Sequence, residues 1–457
     1  MRAAPLAGGS HGPDALRPLV DVVLGALRDG AGERGGPLPG GGPETVARRV
    51  REAVGVALPE DGTGADEALR TLVRTLAAGA ADPAEPLCAG HLHTPPLALA
   101  AAADLAASAL NPSMDSWDQA PAASALEALV TAALAAEVYP DAPHSRDALV
   151  TTGGTESNHL ALLLARERDG AVQTVVGANA HHSFHRAAWL LGLPEPLVVP
   201  APRGTIDPEA LADALATAHR PLVVATAGTT DAGLIDPLPR IAERCAAHGA
   251  ALHVDAAYGG PVLFSAAHRP LLAGLDRART VTVDLHKLGW QPAAAGLLAV
   301  RDAADLAVLA HTADYLNADD DTGAGLPDLL GRSLRTTRRP DVLKTAVTLR
   351  ALGRSGLGGL VDACMELAAH LADLVEKEPR LELYARPTLT TVLFRPYGAP
   401  DETVAAIRRE LLARGRAVLG RAVADGRLWL KATLLNPHAT PDDLRQILTL
   451  VEGGSDR

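Results

Sequence analysis

VTVDLHKLGWQPAAAGLLAV, residues 281–300, is the stretch on which the interpretation of this chain depends. Val281 and Val283 alternate as in a buried strand, and that strand leads directly to His286 and Lys287. A lysine at the end of an apolar strand needs an explanation, because burying an unpaired ammonium costs several kcal/mol or forces it to lose its proton. Two explanations remain open. The side chain extends to solvent, or its amine is bonded as a Schiff base to a carbonyl cofactor such as pyridoxal phosphate.

Around this stretch the sequence alternates between strand patterns and helix patterns. The strands are predicted at 148–152, 173–177, 196–199, 221–226, 251–254, 280–284 and 296–300. The helices between them are predicted at 155–168, 183–192, 208–217 and 238–248. This alternation predicts a three-layer α/β domain with a central, mostly parallel, seven-stranded sheet. Such sheets bind ligands at the carboxyl ends of their strands.

Composition divides the chain into four predicted segments. They are a flexible N-terminal arm (1–45), a helical segment (46–145), the large α/β domain (146–340) and a smaller α+β domain (341–457). The arm is dense in glycine and proline and is expected to hold one short helix near 14–28. The smaller domain is expected to carry strands near 389–395 and 427–434.

Charge and cysteine content argue against several classes of function. The 42 Lys and Arg against 54 Asp and Glu give a net charge of −12, which disfavours nucleic acid or an anionic membrane as a partner. The most apolar run, residues 97–110, is too short to span a bilayer. Cys88, Cys245 and Cys364 are widely spaced, form no metal-ligand pattern and indicate a reducing compartment. We therefore expect a soluble, cytoplasmic enzyme that acts on a small molecule and holds no metal.

A glycine turn follows the first predicted strand, in TTGGTESNHLALLLAR from Thr151. The strand ends in Gly153 and Gly154, and Thr155 opens a helix. Glycines allow close approach of the backbone, and the free N–H groups of a helix N-terminus attract an anion such as a cofactor phosphate. An ordinary strand–turn–helix connection has the same pattern, so both interpretations stay open.

Two further strand ends carry titratable side chains. AHHSFHRAAW contains His181, His182 and His185, but no carboxylate or cysteine completes a metal site. His181 ends its strand and can stack on an aromatic ring, whereas His185 is expected at the surface. In ALHVDAAYGG, Asp255 ends a buried strand. It either pairs with a protonated pyridine nitrogen or caps a helix.

From about residue 85 to the C-terminus, the sequence resembles the group II pyridoxal-phosphate-dependent amino-acid decarboxylases. The motifs AGHLHTP, VATAGTT, HVDAAYGG and DLHK occur in the order found in that family. SALNPSMDSWDQAPAA and TADYLN are most similar to its diaminobutyrate and lysine decarboxylase branch. The resemblance implies the aspartate-aminotransferase-like (type I) fold, pyridoxal phosphate as cofactor and a homodimer with active sites at the subunit interface.

The resemblance also implies roles for individual residues. Lys287 would form the Schiff base, Asp255 would pair with the pyridine nitrogen, and His181 and Ala257 would lie against the two faces of the ring. The remaining cofactor contacts would come from Gly153, Gly154, Thr155, Thr230 and His286. The substrate would be met by His91, Thr94, Tyr315 and Lys431.

One departure from the family pattern concerns the product. Where close relatives carry a loop tyrosine that delivers or relays a proton to Cα, this chain reads Gly325-Leu326-Pro327, and leucine cannot donate a proton. Three outcomes remain open. In the first, Tyr315, a histidine or water takes the place of the loop tyrosine as the proton donor. In the second, oxygen reacts before the proton returns and an aldehyde forms. In the third, Leu326 is aligned with the wrong position in the loop of the relatives. We expect decarboxylation of an amino acid to its amine and carbon dioxide, with aldehyde formation as the alternative.

The loop before the helix that starts near Pro121 bears on the choice of substrate. Asp115 and Asp118 precede a helix and can receive a distal ammonium, although Asp118 can equally cap that helix. With the resemblance to the diamino-acid branch, this favours a diaminobutyrate-like or lysine-like substrate. An aromatic amino acid, with Trp117 as a wall of the site, is the alternative.

Overall fold

The computed structural model describes residues 4–311 and 316–455 of the chain. The helices are α1 (Gly12–Arg34), α2 (Gly42–Val54), α3 (Ala65–Gly79), α4 (Ala98–Leu110), α5 (Pro121–Val138), α6 (Gly154–Asp169), α7 (Ser183–Leu190), α8 (Pro208–Leu215), α9 (Leu238–His248), α10 (Asp319–Gly323), α11 (Val342–Lys377), α12 (Asp401–Ala413) and α13 (Pro441–Ser455). The strands are β1 (Asp147–Thr151), β2 (Gln173–Gly177), β3 (Leu197–Val199), β4 (Pro221–Thr226), β5 (Ala251–Ala256), β6 (Thr280–Asp284), β7 (Gly296–Val300), β8 (Leu381–Leu383), β9 (Thr391–Pro396), β10 (Gly420–Ala424) and β11 (Arg427–Thr433).

The chain forms two compact units. One comprises the described residues up to Pro95, Leu367–Arg386 and the described residues from Val392 onward, and the other comprises Pro96–Glu366 with Pro387–Thr391. These units differ from the predicted division at residues 145 and 340. The reason is packing: α5 lies against β1 and β7, so the helix belongs with the α/β unit. Composition along the chain does not reveal such a contact.

The larger unit contains the predicted seven-stranded sheet, in the order β1-β7-β6-β5-β4-β2-β3. The pairs among β3, β2, β4, β5 and β6 are parallel, and β7 is antiparallel to both of its neighbours. All residues of β4, β6 and β7 are buried. Strands that are buried on both faces are typical of a sheet covered by helices on each side. The mostly parallel sheet predicted from the sequence is confirmed.

Helix α6 follows β1 and packs into the apolar core beside the sheet. Its apolar residues enter two clusters, one with Leu149 and Leu298 and the other with Val176 and Val224. Because the helix is held along its length by these contacts, its first turns have a fixed position beside the ends of β5 and β6. This position decides which side chains meet at the candidate site.

The smaller unit contains a second sheet, in the order β10-β11-β9-β8. The pairs β10–β11 and β8–β9 are antiparallel, and α12 packs on β11. The two strands expected near 389–395 and 427–434 are present as β9 and β11. Strands β8 and β10 were not predicted, because a charged residue, Glu382 in β8 and Arg421 in β10, interrupts the apolar run in each.

The expectation of a flexible arm over 1–45 with a short helix near 14–28 is wrong about the length of the helix. Helix α1 runs for 23 residues, from Gly12 to Arg34, and packs against α3. Its internal Gly30 marks close packing instead of a break, because a Cβ atom there would lie 2.6 Å from the Cβ of Ala77. The helix ends at Gly35, which adopts a left-handed conformation.

Helix α5 is long and apolar enough to cross a membrane by length and composition alone. It also carries a buried charge. Glu127 on α5 accepts two hydrogen bonds from the guanidinium of Arg338, at 2.6 and 2.7 Å. Together with its packing on β1 and β7, this pair makes α5 part of the α/β unit.

Candidate active site

Lys287 follows the carboxyl end of β6. Its Nζ lies 2.9 Å from Oδ2 of Asp284, the last residue of the strand, and the lysine side chain is 20% exposed. The amine of Lys287 therefore contacts the buried carboxylate of Asp284 and does not extend freely to solvent. The other oxygen of this carboxylate, Oδ1, is buried and has no hydrogen-bond partner among the residues that the structure describes. A buried carboxylate oxygen is costly to leave unbonded, which indicates that a further donor belongs here.

The glycine turn between β1 and α6 lies directly against this strand end. A Cβ atom on Gly153 would come within 2.8 Å of Cε1 of His286, and one on Gly154 would come within 3.0 Å of the Cβ of Ala257. Larger residues would therefore not fit. Thr155 is exposed in the first turn of α6, where backbone N–H groups lack helical partners. Nδ1 of His286 lies 3.1 Å from the carbonyl oxygen of Ala295 and 3.4 Å from its backbone nitrogen, and these contacts fix the imidazole beside the turn.

Asp255 lies near the end of β5 with its carboxylate buried. Oδ1 accepts a hydrogen bond from the backbone N–H of Ala257 at 3.1 Å, and Oδ2 accepts from Nδ2 of Asn158 at 2.9 Å. The bond to Ala257 is the local turn contact expected of a capping aspartate. The bond to Asn158 is not, because it crosses from β5 to α6. No lysine, arginine or histidine among the described residues forms an ion pair with this carboxylate within 4.0 Å.

Asn158 is the centre of a buried hydrogen-bond network. Its Nδ2 also donates to Oγ of Ser183 at 3.0 Å, and its Oδ1 lies 2.8 Å from Oγ1 of Thr282 and 3.1 Å from Nε2 of His253. Nδ1 of His253 is 2.8 Å from Oγ1 of Thr280. Burial lowers the pKa of His253 to about 4, so this imidazole is neutral near pH 7.

His181 lies at the same edge of the sheet. Its Nδ1 is 2.9 Å from Oγ of Ser183 and accepts from the Ser183 backbone N–H at 3.3 Å. Burial lowers the pKa of this histidine, and the Asp255 charge opposes that shift. His185 is exposed, as the sequence predicts. Thr230, assigned to the cofactor by resemblance, lies in an exposed turn after β4, and its role stays a prediction.

Three of the residues assigned to the substrate lie in the smaller unit. Burial lowers the pKa of His91, and the positive charges of Lys431 and Arg408 lower it further. A Cβ atom on Gly420 would lie 2.8 Å from Cε of Lys431, so the lysine stem occupies the space above that glycine. Thr94 is buried. Tyr315 lies outside the described residues. The substrate roles of all four stay predictions.

The loop before α5 resolves one alternative left open by the sequence. The residue that precedes α5 is Ala120, and no side chain caps the helix. Asp118 instead accepts a hydrogen bond from Oγ of Ser116 at 2.5 Å, so its interpretation as a helix cap is wrong. Asp115 is buried and accepts a hydrogen bond from Nε2 of Gln119 at 2.8 Å.

The residues at this edge fit pyridoxal phosphate. An amine, a buried carboxylate with no counter-ion in the described part of the chain and a glycine turn at a helix N-terminus correspond to its aldehyde, its ring nitrogen and its phosphate. The unpartnered oxygen of Asp284 shows that the protein alone does not satisfy the site. The arrangement can therefore hold an electron-withdrawing ring and an amine together.

Sequence reasoning missed Asn158, His253 and Asp284. A signal for two of them exists. His253 and Asp255 alternate on β5, and Thr280, Thr282 and Asp284 alternate on β6, both strands being buried. Polar residues spaced by two on a strand share one face of the sheet, and they need hydrogen-bond partners when that face is buried. Asn158 on α6 is the partner of His253, Asp255 and Thr282, and its helical pattern alone did not distinguish it.

The chain is similar to known proteins over most of its length. The pyridoxal-dependent decarboxylase conserved domain matches residues 48–397. The L-2,4-diaminobutyrate decarboxylase of Rhizobium meliloti (strain 1021) is 42% identical over 412 residues, which cover 86% of this chain and 83% of that protein. The L-2,4-diaminobutyrate decarboxylase of Acinetobacter baumannii is 31% identical over 449 residues, which cover 90% and 88%.

A solved structure is similar over almost the whole chain. It is the glutamate decarboxylase domain of diaminobutyrate-pyruvate transaminase and L-2,4-diaminobutyrate decarboxylase from Vibrio parahaemolyticus. The two superpose with a TM-score of 0.87 at 31% sequence identity, covering 99% of this chain and 98% of that one. The similarity therefore includes both compact units.

Proposed function

This chain belongs to the pyridoxal-dependent decarboxylase family and catalyses pyridoxal-phosphate-dependent decarboxylation of an amino acid, and on that basis we propose that its substrate is L-2,4-diaminobutyrate. The products would be 1,3-diaminopropane and carbon dioxide. The observation that carries the proposal is the 42% identity to a diaminobutyrate decarboxylase over 86% of the chain. Asp115 supports it, since a buried carboxylate is suited to bind a second ammonium group.

When bound, pyridoxal phosphate supplies an electron sink for the bond that breaks between Cα and the carboxylate. We propose that Lys287 holds it through its amine, that Gly153, Gly154, Thr155 and His286 hold its phosphate, and that Ala257 lies against its ring. Asp255 accepts an N–H donor on each of its two oxygens, which holds the carboxylate in one orientation. Its negative charge would keep the ring nitrogen protonated. Oδ2 of Asp284 can hold a proton on Nζ of Lys287 during the reaction.

A substrate panel tests the proposal. The purified enzyme, supplied with cofactor, is incubated with diaminobutyrate, ornithine, lysine, glutamate, aspartate and tryptophan, and carbon dioxide and amine are measured. We expect the highest kcat/KM for diaminobutyrate. Asp115→Asn should lower that value about tenfold or more through a higher KM, whereas Asp118→Asn, its matched control, should change it less. Faster turnover of glutamate or of tryptophan would refute the assignment.

Formation of an aldehyde is a second candidate outcome. It is favoured by Leu326, which is 37% exposed in the segment after α10 and has no proton to donate. Oxygen uptake and peroxide should then accompany carbon dioxide release. Replacing Leu326 with tyrosine should raise the ratio of amine to aldehyde, and an unchanged ratio would show that this position has no part in returning the proton.

We also propose that the active form is a homodimer. Helices α1 and α3 leave apolar side chains exposed, including Leu24 at 55% and Leu76 at 67%. A second copy of the chain would bury them. Light scattering should give twice the chain mass, and the double substitution Leu24→Glu with Leu76→Glu should lower it. Leu58→Glu, at a more exposed position between α2 and α3, is the control.

We propose a cytoplasmic location. Cys88, Cys245 and Cys364 are free thiols in the structure, and burial raises the pKa of each. Three unpaired thiols are typical of a protein in a reducing compartment. Cell fractionation followed by an activity assay tests this proposal.

A further inference from the structure

Asn158 uses its full hydrogen-bonding capacity. Its two N–H groups reach Asp255 and Ser183, and its carbonyl oxygen lies within reach of His253 and Thr282. An asparagine side chain offers two donors and two acceptor positions, so none is left over. The residue is fully buried, at 0% exposure. It therefore has one orientation, and that orientation depends on its neighbours.

The direction of every bond in this network follows from one charge. An ionised Asp255 can only accept, so the nitrogen of Asn158 must face it and the oxygen of Asn158 must face His253. His253 must then donate from Nε2. In a neutral imidazole the other nitrogen accepts, so the hydroxyl of Thr280 must donate to Nδ1 at 2.8 Å.

Asn158 is also linked, through Ser183, to His181, which is predicted to lie against the cofactor ring. Its remaining N–H donates to Oγ of Ser183, and the Ser183 hydroxyl is 2.9 Å from Nδ1 of His181. Since the backbone N–H of Ser183 also points at Nδ1, that nitrogen accepts and the proton of neutral His181 lies on Nε2. One side chain thus fixes both the rotamer of Asp255 and the tautomer of His181.

Among the described residues, the donors to the Asp255 carboxylate are the amide of Asn158 and the backbone N–H of Ala257, and both are neutral. A lysine or arginine in place of Asn158 would also orient the carboxylate, but it would neutralise the charge. Burial of His253 has the same consequence, because a neutral imidazole adds no competing positive charge behind Asp255. The negative charge consequently stays available on the side of the carboxylate that faces away from the network.

We propose that Asn158 and His253 are positioning residues that hold the carboxylate of Asp255 in the orientation that a protonated ring nitrogen needs, with Asn158 also holding His181 through Ser183. This role does not depend on which amino acid is the substrate. The alternative is that the network only stabilises the fold, in which case its loss would lower stability and leave the bound cofactor unchanged.

The test compares His253→Leu, which removes the donor to Asn158, with His253→Gln, whose amide nitrogen can replace Nε2. We expect His253→Leu to raise the cofactor dissociation constant about tenfold and to lower kcat about tenfold or more with KM within about twofold. The pH titration of the bound cofactor's visible absorbance should shift by about half a unit or more. His253→Gln should restore each value to within about threefold of the natural protein.

A second pair of variants covers the case in which His253→Leu fails to fold. Thr280→Val removes the hydroxyl that donates to Nδ1 of His253, with almost no change of volume. Its control is Thr174→Val on β2, which removes a buried hydroxyl that has no hydrogen-bond partner among the described residues. We expect Thr280→Val to shift the absorbance titration and the dissociation constant in the direction given for His253→Leu, and Thr174→Val to shift neither.

Two results would overturn the proposal. One is a folded His253→Leu protein with the dissociation constant and absorbance titration of the natural protein. The other is equal behaviour of Thr280→Val and Thr174→Val in both measurements. Loss of activity towards diaminobutyrate, with another amino acid decarboxylated instead, would refute the substrate assignment and leave this proposal standing.

Discussion

The two edges of the seven-stranded sheet both carry charged side chains, but these differ in whether other protein groups pair with them. At the amino edge of the parallel strands, a cleft of about 1060 Å³ is lined by arginines that include Arg168, Arg279 and Arg301. Each of these three forms an ion pair with an aspartate. At the carboxyl edge, Asp255 has no ion-pair partner among the described residues, and Oδ1 of Asp284 has no hydrogen bond.

This difference shows that the two edges are distinguished by how their charged groups are paired and not by the presence of a cavity. At the amino edge, the charges of Arg168, Arg279 and Arg301 are each paired with an aspartate of the protein. Charges at the carboxyl edge are arranged for a group that the protein does not itself provide. Polar groups that lack a partner in the protein therefore mark the functional edge, as expected for a site in which a bound ligand supplies that partner.

The strongest test of this comparison replaces one cation at each edge. Lys287→Ala should lower kcat/KM at least about ten-thousandfold, because it removes the amine that holds the cofactor. Borohydride should no longer attach the cofactor at position 287. Arg277→Ala, at the amino edge, should keep kcat/KM within about twofold. A similar loss in both variants would refute the distinction between the edges.

The second test replaces one aspartate at each edge with asparagine. Asp255→Asn should lower kcat about a hundredfold to a thousandfold, because the ring nitrogen loses a buried counter-ion. Asp305→Asn removes the partner of Arg279 at the amino edge. It should cost about 1 kcal/mol of stability and leave kcat nearly unchanged. Steady-state kinetics and urea unfolding measure the two effects.

The third test uses pH. His253 has a pKa of about 4 when folded, against an ordinary value of 6.5. Between these values only the unfolded chain binds the proton, so stability falls as the pH is lowered from 6.5 to 4. His253 should account for about 3 kcal/mol of that loss.

Urea unfolding at several pH values measures this contribution. His253→Gln should lose less stability on acidification than the natural protein. His248→Gln, which changes an exposed histidine near the amino edge, is the control. Equal pH dependence in the two variants would show that His253 is not the buried neutral histidine described above.

The smallest expected effects come from a pair of glycines. Gly154→Ala should raise the cofactor dissociation constant about tenfold, because its Cβ would lie 3.0 Å from Ala257 and 3.2 Å from Oδ2 of Asp284. Gly249→Ala should cost about 1 kcal/mol of stability, since Gly249 has a φ of +64° and no neighbour within 4 Å of an added Cβ. Its cofactor affinity should not change.

Much of the candidate site was accessible from local sequence signals. The ends of β5 and β6 and the start of α6 were predicted to within two residues, which brought Asp255, Lys287 and the glycine turn to one edge. Asn158 was not found, because its partner Asp255 is 97 positions away. The helix α1 was underestimated for the same reason, since contact with α3 explains its glycine.

The sequence by itself determined which strands form, that they pair mostly in parallel, and which chemical groups stand at their ends. Alternation and turn residues encode these properties over short distances. Only the tertiary structure decided that His253 is neutral and that, among the described residues, Asp255 has no ion-pair partner and Oδ1 of Asp284 has no hydrogen bond. Desolvation and hydrogen-bond partnership depend on residues that are far apart in the chain, so they exist only once the strands and α6 have packed together.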